Sequence, residues 1–275
     1  DVGAHIGTST VYLASLPDYQ FVDPETGLAL NEEQLKLQMQ FAFPELSIVA
    51  IEPDAMHAAM INASLGLNGV SQRVSIVEKA AYSADDETVL FHRYEALNSG
   101  SSYIQAQGRD SHKAIDLDDK FMEGVPMRTV EIQTIALDSI LAQGSHVVLK
   151  MDAEGSEVKV LEGARNLFAN ERVMLVHSEV SAELQEDGSF VCPVLEFLIQ
   201  HGFAVFCGAK CTEHVPDFSW QFVLQEDVGK FANLLQHHLT DVQAFHRNVL
   251  QTNLFGMDLR SSYIMVDRMF SMQYF

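Results

Sequence analysis

The stretch "LSIVAIEPDAMHAAMINASLGLNG", residues 46–69, decides the fold class. Its first part is a short, apolar, β-branched run that stops at an acid, the pattern of a strand buried on both faces. Its second part carries apolar residues at helical spacing and stops at Gly69, where a left-handed C-cap is expected. The same alternation recurs further along. "RVSIVEKAA" (73–81), "HVVLKMDAEG" (146–155), "RVMLVHSEV" (172–180) and "FAVFCG" (203–208) read as strands. "SEVKVLEGARNLFAN" (156–170) and "PVLEFLIQHG" (193–202) read as helices, the last closing at Gly202. The pattern predicts an α/β fold with a doubly wound, mostly parallel sheet. In such folds right-handed crossovers gather the strand C-termini on one edge, where ligands bind.

Three stretches interrupt the alternation within what reads as a single domain over 1–275. Residues 17–45 form an insertion after the first helix, with "LKLQMQFAF" inside it leaning to helix by propensity. Residues 105–126 are polar and acidic, and are expected as a surface loop. Residues 226–252, "DVGKFANLLQHHLTDVQAFHRNVL" and its flanks, read as a helical insertion, with "SSYIMVD" behind it as a final strand. His237, His238 and His246 fall on that predicted helix, without carboxylates at matching spacing. They read as packed or solvent-facing histidines rather than metal ligands.

Composition narrows the partners. Asp and Glu number 38 against 17 Lys and Arg, a formal net charge of −21. Such a field repels phosphate backbones and anionic lipid, and no Lys/Arg cluster reverses it, so nucleic acid and membrane surfaces are not expected as partners. No apolar run approaches the ~18 residues of a membrane span. Cys192, Cys207 and Cys211 are an odd count without zinc-finger spacing, which points to thiols in a reducing compartment. A cytoplasmic location is favoured on that ground, and the oligomeric state is left open.

The opening "DVGAHIGTST" (1–10) carries the chemistry. Gly3 and Gly7 leave room for a ligand against the backbone, and a helix beginning at "TSTVYLASL" turns its amide end to that ligand. The spacing G-A-H-I-G is not the G-x-G-x-x-G of a pyrophosphate clamp. An acid just before the first glycine suits a cationic ligand better. Glu52, ending the next strand, is placed to accept both hydroxyls of a ribose. A ribose with a positive group nearby and no phosphates describes S-adenosylmethionine. If strands end at Asp1, Glu52, Glu78, Asp152 and Glu179, five acids line one edge of the sheet.

Taken in order, "DVGAHIGTST", "IVAIEPD", "LGLN", "AAYSADDET", "IALDSIL" and above all "LKMDAEGSEVKVLEGA" resemble the FkbM family of S-adenosylmethionine-dependent methyltransferases, from Asp1 to about Val180. The resemblance implies a Rossmann-like class I methyltransferase fold. It implies that Asp1, Gly3, Ala4, His5 and Gly7 hold the methionine end of the cofactor, that Thr10 supports the loop, and that Ala80 and Ala81 pass close to the adenine. The family usually carries Asn where this chain has His5. It also has a complete strand before the Asp, so Asp1 is expected to be a fragment boundary behind an apolar, β-branched run.

Methylation of a hydroxyl needs alignment and a proton acceptor, and the resemblance offers Asp152 or Glu154 as that base. Bland readings stand beside these: a tight turn at Gly3 and Gly7, strand-end packing at Ala80 and Ala81, cofactor orientation by Asp152, helix capping by Glu154. In a variant reading, Asp152, Glu154 and Glu179 hold Mg²⁺, though no spacing demands a metal. Ser99, Ser101, Ser102 and residues 17–45 are candidates for shaping the acceptor pocket. The expected activity is O-methylation of a small molecule or sugar. The alternatives are a non-catalytic binding module of the same fold and, less favoured for want of the third glycine, a nicotinamide-dependent dehydrogenase.

Overall fold

The computed structural model describes residues 1–5, 10–11, 14, 47–94, 102–104, 126–141, 144, 146–180, 183–184, 190–207, 221–223 and 240–246. Gly7, residues 17–45 and 105–125, His237, His238 and "SSYIMVD" lie outside them. By internal contacts the chain divides into two compact units: Asp1 with 3–78 and 250–275, and Val2 with 79–249.

The first unit is built on the opening motif. β1 (Ile48–Ile51) and β2 (Val74–Val77) pair in parallel, Ile48 opposite Val74 and Ile51 opposite Val77. Between them runs α1 (Ala55–Leu67), which buries His57, Ala58, Ile61 and Leu65 at helical spacing. Asp54 caps it, its side chain accepting from the amides of Met56 and His57. Gly69 closes it with φ of 70°, the conformation glycine was expected to supply. Asp1 and Gly3 run beside β1: the Ile51 amide donates to the Asp1 carbonyl at 2.9 Å, and the Gly3 amide to the Ile51 carbonyl at 3.1 Å. Ala4, Ala14, Ile48, Ala50, Ile61, Leu65 and Val70 form one buried cluster in this unit.

The second unit holds two larger sheets. In chain order its elements are β3 (Ala80–Ala81), β4 (Thr88–Tyr94), β5 (Tyr103–Ile104), β6 (Met127–Ile135), α2 (Leu137–Ile140), β7 (Val147–Met151), α3 (Glu157–Glu162), α4 (Arg165–Ala169) and β8 (Val173–Val180). They continue with β9 (Glu183–Leu184), β10 (Phe190–Val191), α5 (Pro193–Gln200), β11 (Phe203–Cys207), β12 (Gln221–Val223) and β13 (Thr240–His246). One sheet has the order β12-β11-β13-β8-β7, the other β3-β6-β4-β5. Val2 adds a parallel bridge to Met151.

The mostly parallel, doubly wound sheet expected from the sequence gives way to mixed sheets. β7 and β8 pair in parallel, as do β3 and β6, but β13 lies antiparallel between β8 and β11. β7, β8 and β11 therefore point one way, as a βαβ succession requires, while β13 intercalates and takes the hydrogen bonds of both β8 and β11. This also corrects the helical insertion over 226–252. Its described part, 240–246, is a strand, with Val242, Ala244 and His246 buried at period two. Within 240–246 the two lateral partners β8 and β11 settle the conformation, because strand formation depends on neighbours more than on intrinsic preference.

Two further elements depart from the local reading. β4 and β6 form an antiparallel pair the alternation did not single out, Thr88 opposite Gln133 and Tyr94 opposite Met127. The run 156–170 is two short helices rather than one. They break at Gly163, where an added Cβ would stand 2.0 Å from the Tyr82 carbonyl oxygen. The chain cannot carry a side chain there, and the helix ends where the backbones meet.

Candidate functional site

In the first unit the described site residues converge on Glu52. Gly3 (φ 68°) and His5 (φ 49°) adopt left-handed backbone, so the chain turns over the end of β1. The amide of the buried Ala4 donates to the Ile51 carbonyl at 3.3 Å. The turn delivers the His5 amide to Glu52 Oε2 at 2.8 Å. The Asp54 amide donates to Glu52 Oε1 at 2.9 Å. Glu52 is only 4% exposed, and His57 Nδ1 stands 3.6 Å from the same Oε1. The His57 ring meets the His5 ring edge to face, centroids 4.5 Å apart. The buried Thr10 hydroxyl donates to Asp1 Oδ2. Asp1, Gly3, Ala4, His5, Thr10 and Glu52 are thus joined in one hydrogen-bonded arrangement. The sequence pointed to all six; His57 it did not.

Ala80, Ala81, Asp152 and Glu154 belong to the second unit. Both alanines are buried in β3. Asp152 follows β7 directly, its side chain 36% exposed and its Oδ2 3.5 Å from the Nζ of the buried Lys150. Glu154 (φ 48°) and Gly155 (φ 89°) make the turn after it. The residue that fastens this turn is Glu157, whose Oε1 accepts from the amides of Ala153 at 2.9 Å and Gly155 at 3.2 Å. Burial pushes the Glu157 carboxyl above its ordinary range, and the negative charge of Asp152 adds in the same direction.

Across the β7–β8 ladder, Lys150 stands opposite His177. Burial first, then the Lys150 charge, lowers the His177 imidazole to about 4, so it is neutral near pH 7. The sequence reading passed over both residues, because a lone Lys and a lone His inside apolar strands carry no spacing signal.

Other expected positions resolve differently. Glu179 lies inside β8, which runs on to Val180, whereas Glu52, Glu78 and Asp152 each follow a strand directly. Among the described residues no three His, Cys, Asp or Glu side chains gather at metal-binding distance. Ser102 Oγ accepts from the Tyr94 amide at 3.2 Å, a bond between β4 and the start of β5. His246 is buried on β13 beside Phe203. Two acids in the resembling blocks fasten backbone. Asp85 accepts from the Ala136 amide and the Ser139 hydroxyl, which hold its carboxyl below the ordinary range. Asp138 caps α4 through the amides of Asn166 and Leu167.

The left-handed turn and the buried acid meet at the C-terminal end of a parallel strand, the edge on which open α/β sheets place their ligands. The model of the methyltransferase FkbM domain matches residues 1–205, and the chain belongs to the FkbM methyltransferase family. No curated protein matches it. Among solved structures, the methyltransferase FkbM from Methylobacillus flagellatus KT is similar at 14% identity and a TM-score of 0.41, covering 89% of this chain and 42% of that one. The chain spans less than half the length of that protein. Among the described residues no helix is long and apolar enough to cross a membrane.

Proposed function

We propose that the chain transfers a methyl group from S-adenosylmethionine to a hydroxyl oxygen of a small molecule or sugar, working as one methyltransferase domain. The observation that carries the reading is the way Glu52 spends its acceptors. A carboxylate offers about four lone-pair sites. One backbone N–H takes one site on each oxygen, and His57 at 3.6 Å lies beyond hydrogen-bond reach. Each oxygen keeps a site, which is the acceptor pair that the two donating hydroxyls of a vicinal ribose diol need. Asp1, Gly3, Ala4, His5, Gly7 and Thr10 would hold the methionine end, and Ala80 and Ala81 would admit the adenine ring.

When bound, S-adenosylmethionine supplies an electrophilic methyl group on a sulfonium centre. The protein's part is to align the acceptor hydroxyl, which can contribute ~7–11 kcal/mol, and to take its proton, a further ~10²–10⁴-fold. Asp152 or Glu154 takes that proton.

Calorimetry with S-adenosylhomocysteine tests the reading. Glu52→Ala should lose two charge-assisted bonds, on the order of 2–3 kcal/mol of affinity. Wild-type affinity in that variant would remove Glu52 from the site. With a methyl-labelled donor and an acceptor screen, Asp152→Asn or Glu154→Gln should abolish turnover while binding persists. Binding without turnover on any acceptor would favour the non-catalytic module.

A further inference from the structure

The first turn of α1 departs from the usual helix start in a way that bears on Glu52. In a capping box the third helical residue is Glu or Gln, and its side chain reaches back to the amide of the cap residue. Here the cap is Asp54 and the third residue is His57. The cap amide goes instead to Glu52 Oε1, so the acid before the helix does what the third residue usually does.

His57 is left 3% exposed, with Nδ1 3.6 Å from that oxygen and its ring edge against His5. His5 is the residue whose amide holds the other carboxylate oxygen. One side chain therefore backs Glu52 on one flank and the left-handed turn on the other. The terminal torsion of a glutamate is broad and roughly two-fold, so a flanking ring adds to the two amides in limiting which way the carboxylate plane faces.

We propose that His57 is a positioning residue for ribose recognition: it holds the Glu52 carboxylate and the His5 turn in the one arrangement that leaves a lone pair on each oxygen for the diol. The inference rests on the ribose reading of Glu52. Among the described residues, the groups seen to face His57 include Glu52, His5 and its own cap, Asp54.

The test uses the full chain and two ligands, S-adenosylhomocysteine and its counterpart lacking both ribose hydroxyls, with affinities measured by calorimetry. His57→Phe keeps a ring against His5 and removes the nitrogen beside Glu52. It should weaken S-adenosylhomocysteine by about tenfold, the size of one hydrogen bond's net contribution, and leave the dideoxy counterpart unchanged. His57→Gln, which restores a polar group of similar reach, should recover most of that loss. His57→Ala adds no bulk, serves if the Phe variant fails to fold, and should show the same selective loss.

Equal weakening of both ligands by either truncation would mean a packing role alone and would overturn the proposal. So would unchanged affinity for S-adenosylhomocysteine. Glu52→Ala in parallel separates the two ideas. If it fails to discriminate between the ligands, the ribose reading itself is lost; if it discriminates and the His57 variants do not, only the positioning role is lost.

Discussion

After β1 the chain passes Glu52 and enters α1; after β7 it passes Asp152, turns through Glu154 and Gly155, and enters α3 against Glu157. Both junctions hold a buried glutamate that accepts two backbone amides. At the first, the amides are divided between the two oxygens, and one comes from His5, 47 residues away in the chain. At the second, both fall on Oε1 and both come from the adjacent turn. A carboxylate bonded evenly, one amide to each oxygen, keeps acceptor capacity on both for a ligand. One bonded locally through a single oxygen closes a loop. The same residue type thus ties in a distant segment of chain in one place and closes a local turn in the other. On the proposed function, substitution of Glu52 should read out in affinity, and substitution of Glu157 in stability.

The largest effect expected is at the second junction's far end. Gly163→Ala would set a Cβ 2.0 Å from the Tyr82 carbonyl oxygen, a backbone atom that cannot swing aside. Overpacking of this kind should cost about 3 kcal/mol. That corresponds to a fall in Tm of about 6–12 °C by thermal unfolding. Unchanged stability would mean that α3 and α4 are not fixed by this contact.

Next in size is an acid-side loss from His177, on the strand paired with β7. Its folded pKa of about 4 lies below the ordinary 6.5, so its contribution is full above pH 6.5 and disappears as pH falls toward 4. A shift of that size corresponds to about 3 kcal/mol. Urea unfolding at pH 7 and pH 4.5 should show the loss in the wild type and a flatter profile in His177→Gln. Parallel profiles would remove His177 as the cause.

Glu157 should show the opposite sign. Its folded pKa is raised, so the stability it contributes is full below the ordinary glutamate range and declines as pH rises through the folded value. Glu157→Gln keeps the acceptor without the buried charge, and should be more stable than wild type at pH 7.5 with the gap closing toward pH 4. Glu157→Ala leaves the amides of Ala153 and Gly155 without their acceptor and should be about 2 kcal/mol less stable than the Gln variant. An Ala variant as stable as the Gln variant would break the contrast with Glu52.

The smallest effect belongs to the first junction's helix. Gly66 sits near the end of α1 with nothing within 4 Å of an added Cβ. Gly66→Ala should stabilise by about 0.5–1 kcal/mol through backbone entropy alone, measured by urea unfolding. A loss instead would reveal a contact on that face of α1.

β1, α1, β7, β8, α5 and β11 were legible because each carries its own pattern: an apolar run flanked by an acid or turn, or apolar residues at helical spacing with a glycine or a proline at an end. Gly69 and Gly202 announced their positive φ angles in the same way. The position of Glu52 directly after β1 was legible because the apolar run "SIVAI" stops at it. β4 and β6 were not, since β6 is exposed along most of its length and offers no buried face to read.

What the sequence by itself determined is therefore local: the periodicities, the glycine turns, the acids that follow β1 and β7, and the ordered blocks that mark the FkbM family over residues 1–205. Tertiary structure alone decided that 240–246 is a strand, because that needed β8 on one side and β11 on the other. It decided that position 163 takes glycine, because the Tyr82 carbonyl stands where a Cβ would be. It decided that Glu157 fastens the turn after β7, and that His57 stands beside Glu52. The physical reason is common to all four. Backbone preference and burial act over a few residues and leave a period in the sequence, whereas the partner that takes a hydrogen bond or blocks a side chain leaves none until the fold brings it within reach.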